Sequence, residues 1–255
     1  MKPPVHLAPW SAEWVVDFYQ AHRQGVAGFY PSELRFVPYL ARNSSRLMDV
    51  GCAAGGFVSA WRDLNPRIDY VGVDVAPELV EAARRSHPDV AFYCADAATG
   101  LPFPDAYADA VVGLGWLHLE PRWREALREL RRVAKRRILL DVRLSAADGM
   151  VGRQTPAPGS PSVEYAVFGF GTFVDAVLEL GPTRILGTGY AGTPASTVSG
   201  IDGQVCFGVF VLEFGESPSE PEVALDLPLE WPSPVGTLRS VDRLRDLIGE
   251  DSVSP

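Results

Sequence analysis

The sequence has few of the residues that most often bind metals or form disulfides. It contains three cysteines and four histidines in 255 residues. Cys52, Cys94 and Cys206 lie far apart and form no CxxC pair, so neither a metal site nor a disulfide framework is expected. We predict that no metal is bound and that the protein works in a reducing, cytoplasmic environment.

Long apolar runs and an excess of basic charge are also missing. No stretch approaches the ~18 consecutive apolar residues of a membrane span, and the N-terminal residues do not resemble a signal peptide. Lys and Arg number 23 against 32 Asp and Glu, which gives a net charge of −9. A broad nucleic-acid surface needs clustered positive charge, so neither a nucleic acid nor a membrane is the expected partner.

From residue 46 onward, apolar segments alternate with amphipathic helical patterns. Strands are expected at 46–50, 68–74, 90–95, 108–114 and 138–142, followed by a last antiparallel pair at 183–186 and 205–214. Near-continuous apolar strands that alternate with helices are typical of a parallel sheet covered on both faces. We therefore predict an α/β fold with a doubly wound, mostly parallel, seven-stranded sheet whose last two strands form an antiparallel hairpin.

The chain divides into three predicted parts. Residues 1–42 carry two helical patterns and are expected to form an N-terminal helical lid. Residues 43–215 form the expected main domain, in which 144–204 is an insertion on the substrate side that begins as a loop. Residues 216–255 are expected to be a proline-rich tail with a C-terminal helix.

Acidic residues end three of the predicted strands. They are Asp49, Asp74 and Asp96, and the first opens the run Asp49-Val50-Gly51-Cys52-Ala53-Ala54-Gly55-Gly56. Small side chains in such a turn let a ligand approach the backbone, and the N–H groups that open the next helix face that ligand. Since ligands of these sheets bind beyond the carboxyl ends of the strands, the three carboxylates predict the rim of a nucleoside pocket.

The stretch from about residue 46 to 143 resembles a class I, Rossmann-like methyltransferase that uses S-adenosylmethionine. The run at 49–56 resembles the first motif of that family, with Ala53 where a glycine is usual. The other matching segments are Gly72-Val73-Asp74, Cys94-Ala95-Asp96-Ala97, and Leu101-Pro102-Phe103 followed by Asp109-Ala110-Val111-Val112. The Pro-Gly-Gly turn that usually follows the next helix is absent.

The resemblance implies that S-adenosylmethionine is the cofactor and S-adenosylhomocysteine the product. It implies that Asp74 holds both ribose hydroxyls and that Asp96 meets the adenine amino group. Further expected cofactor contacts are Asp49, Gly51, Cys52, Ala53, Gly55, Val75, Ala97, Leu114, Tyr30 and Ser32. His118 is the candidate catalytic residue, because its imidazole can take a proton from an acceptor; a buried histidine bonded within its loop is the alternative.

The expected reaction is methyl transfer to an oxygen, nitrogen or carbon nucleophile of a small molecule. Arg143 can meet an acidic acceptor or form a surface ion pair. A nicotinamide-dependent oxidoreductase stays open, because Gly51-x-Ala53-x-x-Gly56 is close to GxGxxG, although Asp49 stands where that motif usually has an apolar residue. A non-catalytic S-adenosylmethionine-binding protein, an RNA or protein methyltransferase, and a homodimeric assembly also stay open.

Overall fold

The computed structural model describes residue 10 and residues 13–156, 160–216, 221–229 and 241–248. The α-helices of this part are α1 Glu13–Ala21, α2 Pro31–Leu34, α3 Val37–Arg42, α4 Val58–Leu64, α5 Pro77–Ser86, α6 Trp123–Val133, α7 Phe170–Leu178 and α8 Val241–Ile248. Short 3₁₀ turns lie at Val26–Gly28 and Leu117–Leu119. None of the described helices is long and apolar enough to cross a membrane.

The strands form one mixed sheet. They are β1 Arg46–Val50, β2 Asp69–Asp74, β3 Ala91–Cys94, β4 Ala108–Gly113, β5 Ala134–Ser145, β6 Met150–Gln154, β7 Val163–Gly169, β8 Arg184–Gly192, β9 Val198–Ser199, β10 Val205–Glu213 and β11 Glu222–Asp226. The order along the sheet is β11-β8-β10-β5-β4-β1-β2-β3, and β6, β7 and β9 form a side ladder joined to β5 through β7.

The parallel half of the sheet follows the predicted alternation. Strand β1 pairs in parallel with β2 and β4, β2 with β3, and β4 with β5. Strand β10 is antiparallel to both β5 and β8, and β11 lies parallel to β8 at the edge. Since the carboxyl ends of β1, β2, β3 and β4 meet at one edge of the sheet, this order places the three predicted acids there.

The sheet differs from the prediction in size, because the described part has eleven strands rather than seven. Strand β6 lies inside the segment 144–162, which the Ser- and Gly-rich composition predicts to be a loop, and β7 follows directly after it. Strand β11 lies in the proline-rich segment expected to be a tail. Its five residues stand between Pro221 and Pro228 and pair only along the edge of the sheet, where proline is tolerated.

Alternate residues of the central strands enter two different hydrophobic cores. Leu47 belongs to the core beneath α3, α4, α5 and α8, whereas Met48 belongs to the core beneath α6 and α7. This division follows from the period of two in a strand, and it confirms that helices cover both faces of the sheet. Both neighbours are fully buried, which explains why the strand reads as a continuous apolar run.

Several helices have a proline in their first turn or a glycine directly before them. Pro77 occupies the first turn of α5, as the sequence predicts. In the N-terminal region three short helices replace the two that the pattern suggests, because Pro31 and Pro38 each start a new one. Helix α7 begins after Gly169 without a side-chain cap.

Candidate active site

The carboxyl ends of the parallel strands open into a cavity of about 520 Å³, a size typical of small-molecule sites. Three groups of residues line it. The glycine loop and the ends of β2 and β4 form one wall, and α1 with the segment that follows it covers this wall. The opposite wall comes from β5, the side ladder and β10.

The glycine loop is held against the end of β2. The backbone N–H groups of Gly51 and Cys52 donate to the carbonyl of Val73 at 2.8 and 3.0 Å. Gly51 has a φ of +79°, and a Cβ placed on it would lie 2.9 Å from Nε1 of Trp116. Position 51 therefore needs glycine for its backbone conformation and for the indole ring that rests on it.

Ala53 is the residue that replaces the usual glycine of the motif. Its φ is +48°, in the left-handed region that L side chains avoid at a cost of about 1–2 kcal/mol. Its N–H donates to Oδ2 of Asp74 at 2.9 Å. Ala53 thus has a backbone conformation that glycine adopts more readily, and the hydrogen bond to Asp74 is part of what holds the alanine there.

Asp74 lies at the end of β2, where it is buried and lines the cavity. Its Oδ1 accepts from the N–H of Ala76 at 2.9 Å, while Oδ2 accepts from Ala53. Burial raises the pKa of Asp74, and these backbone N–H groups oppose that rise. Because each carboxylate oxygen has a second lone pair, the side chain can also accept hydrogen bonds from a ligand diol.

Asp96 follows β3 and is charge-paired within the protein. Its Oδ1 accepts from the N–H of Ala98 at 2.8 Å, and Oδ2 accepts from Nη2 of Arg122 at 2.9 Å. Asp96 lines the same cavity as Asp74. An adenine contact by Asp96 stays a prediction, and Arg122 is a partner of this acid that the sequence does not reveal.

The other predicted cofactor residues divide into two groups. Those that line the cavity are Gly51, Cys52, Ala53, Val75, Ala97, Leu114 and Tyr30. Asp49, Gly55 and Ser32 lie outside its lining. Asp49 is buried beneath the loop, where it accepts a hydrogen bond from the Tyr70 hydroxyl at 2.7 Å, and burial raises its pKa to about 7.

The segment after α1 packs directly on the glycine loop. The N–H of Gly25 donates to the carbonyl of Gly56 at 2.9 Å. Arg23 forms a two-pronged ion pair with the buried Glu33, with N–O distances of 2.9 and 3.0 Å. The guanidinium of Arg23 lies 4.6 Å from the centre of the Tyr30 ring. The first contact attaches the predicted lid to the glycine loop, and the other two hold the lid segment together.

His118 lies in the 3₁₀ turn after β4 and is 4% exposed. Burial, reinforced by nearby Arg143, lowers its pKa to about 3, so the imidazole is neutral at neutral pH. Its Nδ1 has no hydrogen-bond partner, and its ring meets that of Tyr165 edge to face at 4.9 Å. The histidine is thus buried, as the alternative expects, but its Nδ1 forms no hydrogen bond within the loop.

A second polar group lies beside His118, on the wall opposite the glycine loop. Nη1 of Arg143 donates to Oδ2 of Asp141 at 2.8 Å, and the other Asp141 oxygen accepts from the N–H of Gly115. Tyr165 also hydrogen-bonds Arg143. Arg143 lies within β5 and is 12% exposed, so it forms a buried ion pair rather than a surface one.

Sequence reasoning did not single out Asp141 or Tyr165. Asp141 had a usable signal, since it is an acid inside the apolar run 138–142, as Asp49 is in β1. Tyr165 had none, because β7 was not predicted. Among the described residues, no group of His, Cys, Asp and Glu is arranged to hold a metal ion.

Comparison with known proteins agrees with this geometry. Residues 48–139 match the family model of a methyltransferase domain, and these residues contain the glycine loop and all three strand-end acids. The match shows that this part of the chain is similar to a methyltransferase domain. The match supports the class I methyltransferase resemblance over the dinucleotide reading of the same loop.

Two curated relatives match parts of the chain. A fatty-acid O-methyltransferase from Mycolicibacterium smegmatis is 35% identical over 92 residues, which is 35% of this chain and 33% of the relative. A trans-aconitate 2-methyltransferase from Methylobacterium radiotolerans is 40% identical over 73 residues, or 28% of this chain and 27% of the relative. The chain therefore matches about a third or less of the length of these relatives.

The fold is also similar to that of solved structures. The crystal structure of the N-terminal domain of EvdMO1 with SAH bound superposes with a TM-score of 0.55 at 20% identity. The match covers 72% of this chain and 81% of that one. At this identity the likeness concerns the fold alone, and its 72% coverage is wider than the match over residues 48–139.

Proposed function

We propose that the protein transfers the methyl group of S-adenosylmethionine to an oxygen, nitrogen or carbon nucleophile of a small molecule. The observation that carries the proposal is the position of Asp74 and the glycine loop on one wall of the cavity. A buried carboxylate with free lone pairs lies there beside the backbone of the glycine loop. The methyltransferase-domain match spans the same residues.

The residues of this wall fit an adenosyl group. Asp74 accepts hydrogen bonds from the ribose hydroxyls, each about 1.5–3 kcal/mol when charge-assisted. The missing Cβ at Gly51 makes room for the Trp116 indole, which packs on the glycine loop. Asp96, held by Arg122, is the proposed partner of the adenine amino group. The cofactor supplies an activated methyl group, so the protein contributes mainly positioning and exclusion of water.

A small-molecule acceptor is favoured over RNA or protein. The names of both curated relatives are those of enzymes that act on small organic acids. The net charge of −9 also suits a small molecule better than a polyanion. A cytoplasmic location and a homodimer remain predictions.

Transfer itself is tested with methyl-labelled S-adenosylmethionine and three fractions of a cell extract: small molecules, RNA and protein. We expect label to move into the small-molecule fraction. Label in RNA or protein alone would contradict the proposed acceptor class. Binding of the cofactor with no transfer to any fraction would favour the non-catalytic alternative.

We also propose that residues 1–42 act as a lid, of which residues 1–9, 11 and 12 lie outside the described part. The bond from Gly25 to Gly56 ties this segment to the loop that the cofactor would touch. Backbone amides between Gly25 and Ser32 should exchange with solvent more slowly when S-adenosylhomocysteine is bound. Equal exchange in both states, with residues 51–56 responding to the ligand, would make the segment a permanent part of the core.

A further inference from the structure

The cavity has opposite charges on its two walls. Asp74 and Asp96 lie on the wall of the glycine loop, and Arg143 lies on the wall formed by β5. The other cation of the lining, Arg23, already has both of its terminal nitrogens bonded to Glu33. Arg143 bonds Asp141 through Nη1 and also bonds Tyr165, but its buried Nε has no partner.

The wall of Arg143 also carries polar atoms that have no hydrogen-bond partner within the protein. Nε of Arg143, Nδ1 of His118 and Oε1 of Gln154 are buried and have no hydrogen-bond partner, and all three residues line the cavity. Buried polar groups in native proteins are nearly always bonded, so exceptions that cluster at one place call for an explanation there. A bound ligand rich in hydrogen-bonding atoms supplies this explanation, because it can pair with these atoms once the side chains adjust to it.

This wall has no effective base. A hydroxyl or amine acceptor must lose a proton during transfer, and His118 is the obvious group to take it. Because burial and then Arg143 hold the pKa of His118 near 3, its imidazole is a poor proton acceptor for such groups. Asp141, despite burial, has a lowered pKa because the charge of Arg143 favours its ionised form. An acceptor that is already ionised avoids this difficulty.

Apolar side chains surround the polar atoms. Leu119, Val198 and Phe207 line the cavity and belong to a small apolar cluster with Tyr165, separate from the two cores. The Phe207 ring lies 4.7 Å from the guanidinium carbon of Arg143 and stacks on Tyr190 at 5.2 Å. A ligand bound here has a charged end at Arg143 and an apolar body against these side chains.

We propose that the acceptor is the carboxylate of an organic acid with an apolar body, held by Arg143 and His118, and that the product is its methyl ester. This inference rests on the proposed function and names its substrate class. In the reaction a carboxylate oxygen forms a bond to the methyl carbon with its lone pair. The carbon–sulfur bond breaks, its electron pair stays on sulfur, and no proton is transferred.

The test compares acids with matched neutral or basic acceptors. Octanoate, dodecanoate and benzoate are each incubated with the enzyme and methyl-labelled S-adenosylmethionine, in parallel with octanol, octylamine and benzyl alcohol. Titration of S-adenosylhomocysteine is done first on the same sample. We expect label in an alkali-labile ester from at least one acid and none in the alcohols or the amine.

Variants then test the role of Arg143. Arg143→Lys should lower kcat/KM for the acid by ~10–100-fold, mainly through KM, since a lysine keeps the charge but loses the planar fork. Affinity for S-adenosylhomocysteine should not change. Arg128→Lys, on the exposed face of α6, is the matched control and should leave kcat/KM as it is. If Arg143→Lys does not fold, the double variant Arg143→Met, Asp141→Asn removes both buried charges together.

Each outcome decides between two claims. Label in the alcohols or the amine would overturn the carboxylate proposal and leave the cofactor assignment unchanged. The same conclusion would follow if S-adenosylhomocysteine binds but none of the six probes is labelled. A protein that binds neither the cofactor nor its product would overturn the proposed function and the inference with it. An Arg143→Lys enzyme that esterifies the acid with unchanged KM would remove Arg143 from the site.

Discussion

The two walls of the cavity use different means to place their polar groups. On the wall of the glycine loop, Asp74 is held by the backbone N–H groups of Ala53 and Ala76. On the opposite wall, Arg143, Asp141 and Tyr165 come from β5 and the side ladder and hold one another through side chains. A wall built from backbone can be shared among many proteins, whereas one built from side chains can change with the substrate.

The largest effect on stability is expected from a substitution at Gly51, in the wall of the glycine loop. In Gly51→Ala the new Cβ meets the Trp116 indole and the backbone keeps a φ of +79°, so we expect a loss of about 2–3 kcal/mol in the free energy of unfolding. Urea denaturation measures it. Gly203→Ala has a similar φ of +85° but no neighbour within 4 Å, and it should lose less. Equal losses would show that the indole contact contributes nothing.

Stability should also depend on pH in opposite directions through His118, which lines the cavity, and Asp49, which lies beneath the glycine loop. His118 faces Arg143, Asp141 and Tyr165, and its pKa falls from 6.5 to about 3 on folding. Between these values the unfolded chain binds a proton that the folded one does not, so stability falls as the pH drops through this range. Asp49 has its pKa raised from 3.8 to about 7, so its folded form holds the extra proton and stability falls as the pH rises.

Single variants separate these two contributions. His118→Asn should lose less stability on acidification than the wild type, and Asp49→Asn should lose less as the pH rises toward neutrality. Denaturation curves at several pH values between about 4 and 8 measure both. If either variant kept the pH profile of the wild type, that residue would not titrate as described.

The smallest effect is expected at Ala53. Ala53→Gly removes a side chain from a left-handed position with a φ of +48°, although glycine adds freedom to the unfolded chain. We expect a net gain of about 0.5–1 kcal/mol in the free energy of unfolding. Ala54→Gly is the matched control in the same loop and should not stabilise the protein. A loss in Ala53→Gly would mean that the alanine is not strained.

The same contrast explains how far the sequence predicts the structure. The succession of β1 to β5 along the chain and the positions of Asp74 and Asp96 can be predicted from local patterns, since apolar strands and small-residue turns each consist of consecutive residues. The side ladder does not follow, because Tyr165 and Val198 gain their partners from distant segments of mixed composition. Asp49 was expected at the pocket, but Tyr70 on the next strand binds it beneath the loop.

The central claim is that the wall of Asp74 holds an adenosyl cofactor. Calorimetric titration of S-adenosylhomocysteine and of NAD into the wild type and Asp74→Ala tests it most directly. We predict saturable binding of S-adenosylhomocysteine only, weakened by about 2–3 kcal/mol, or ~30–150-fold, in a folded Asp74→Ala protein. Asp74→Asn, which keeps hydrogen-bonding atoms, should lose less. Saturable NAD binding without S-adenosylhomocysteine binding, or unchanged affinity in folded Asp74→Ala, would contradict the account.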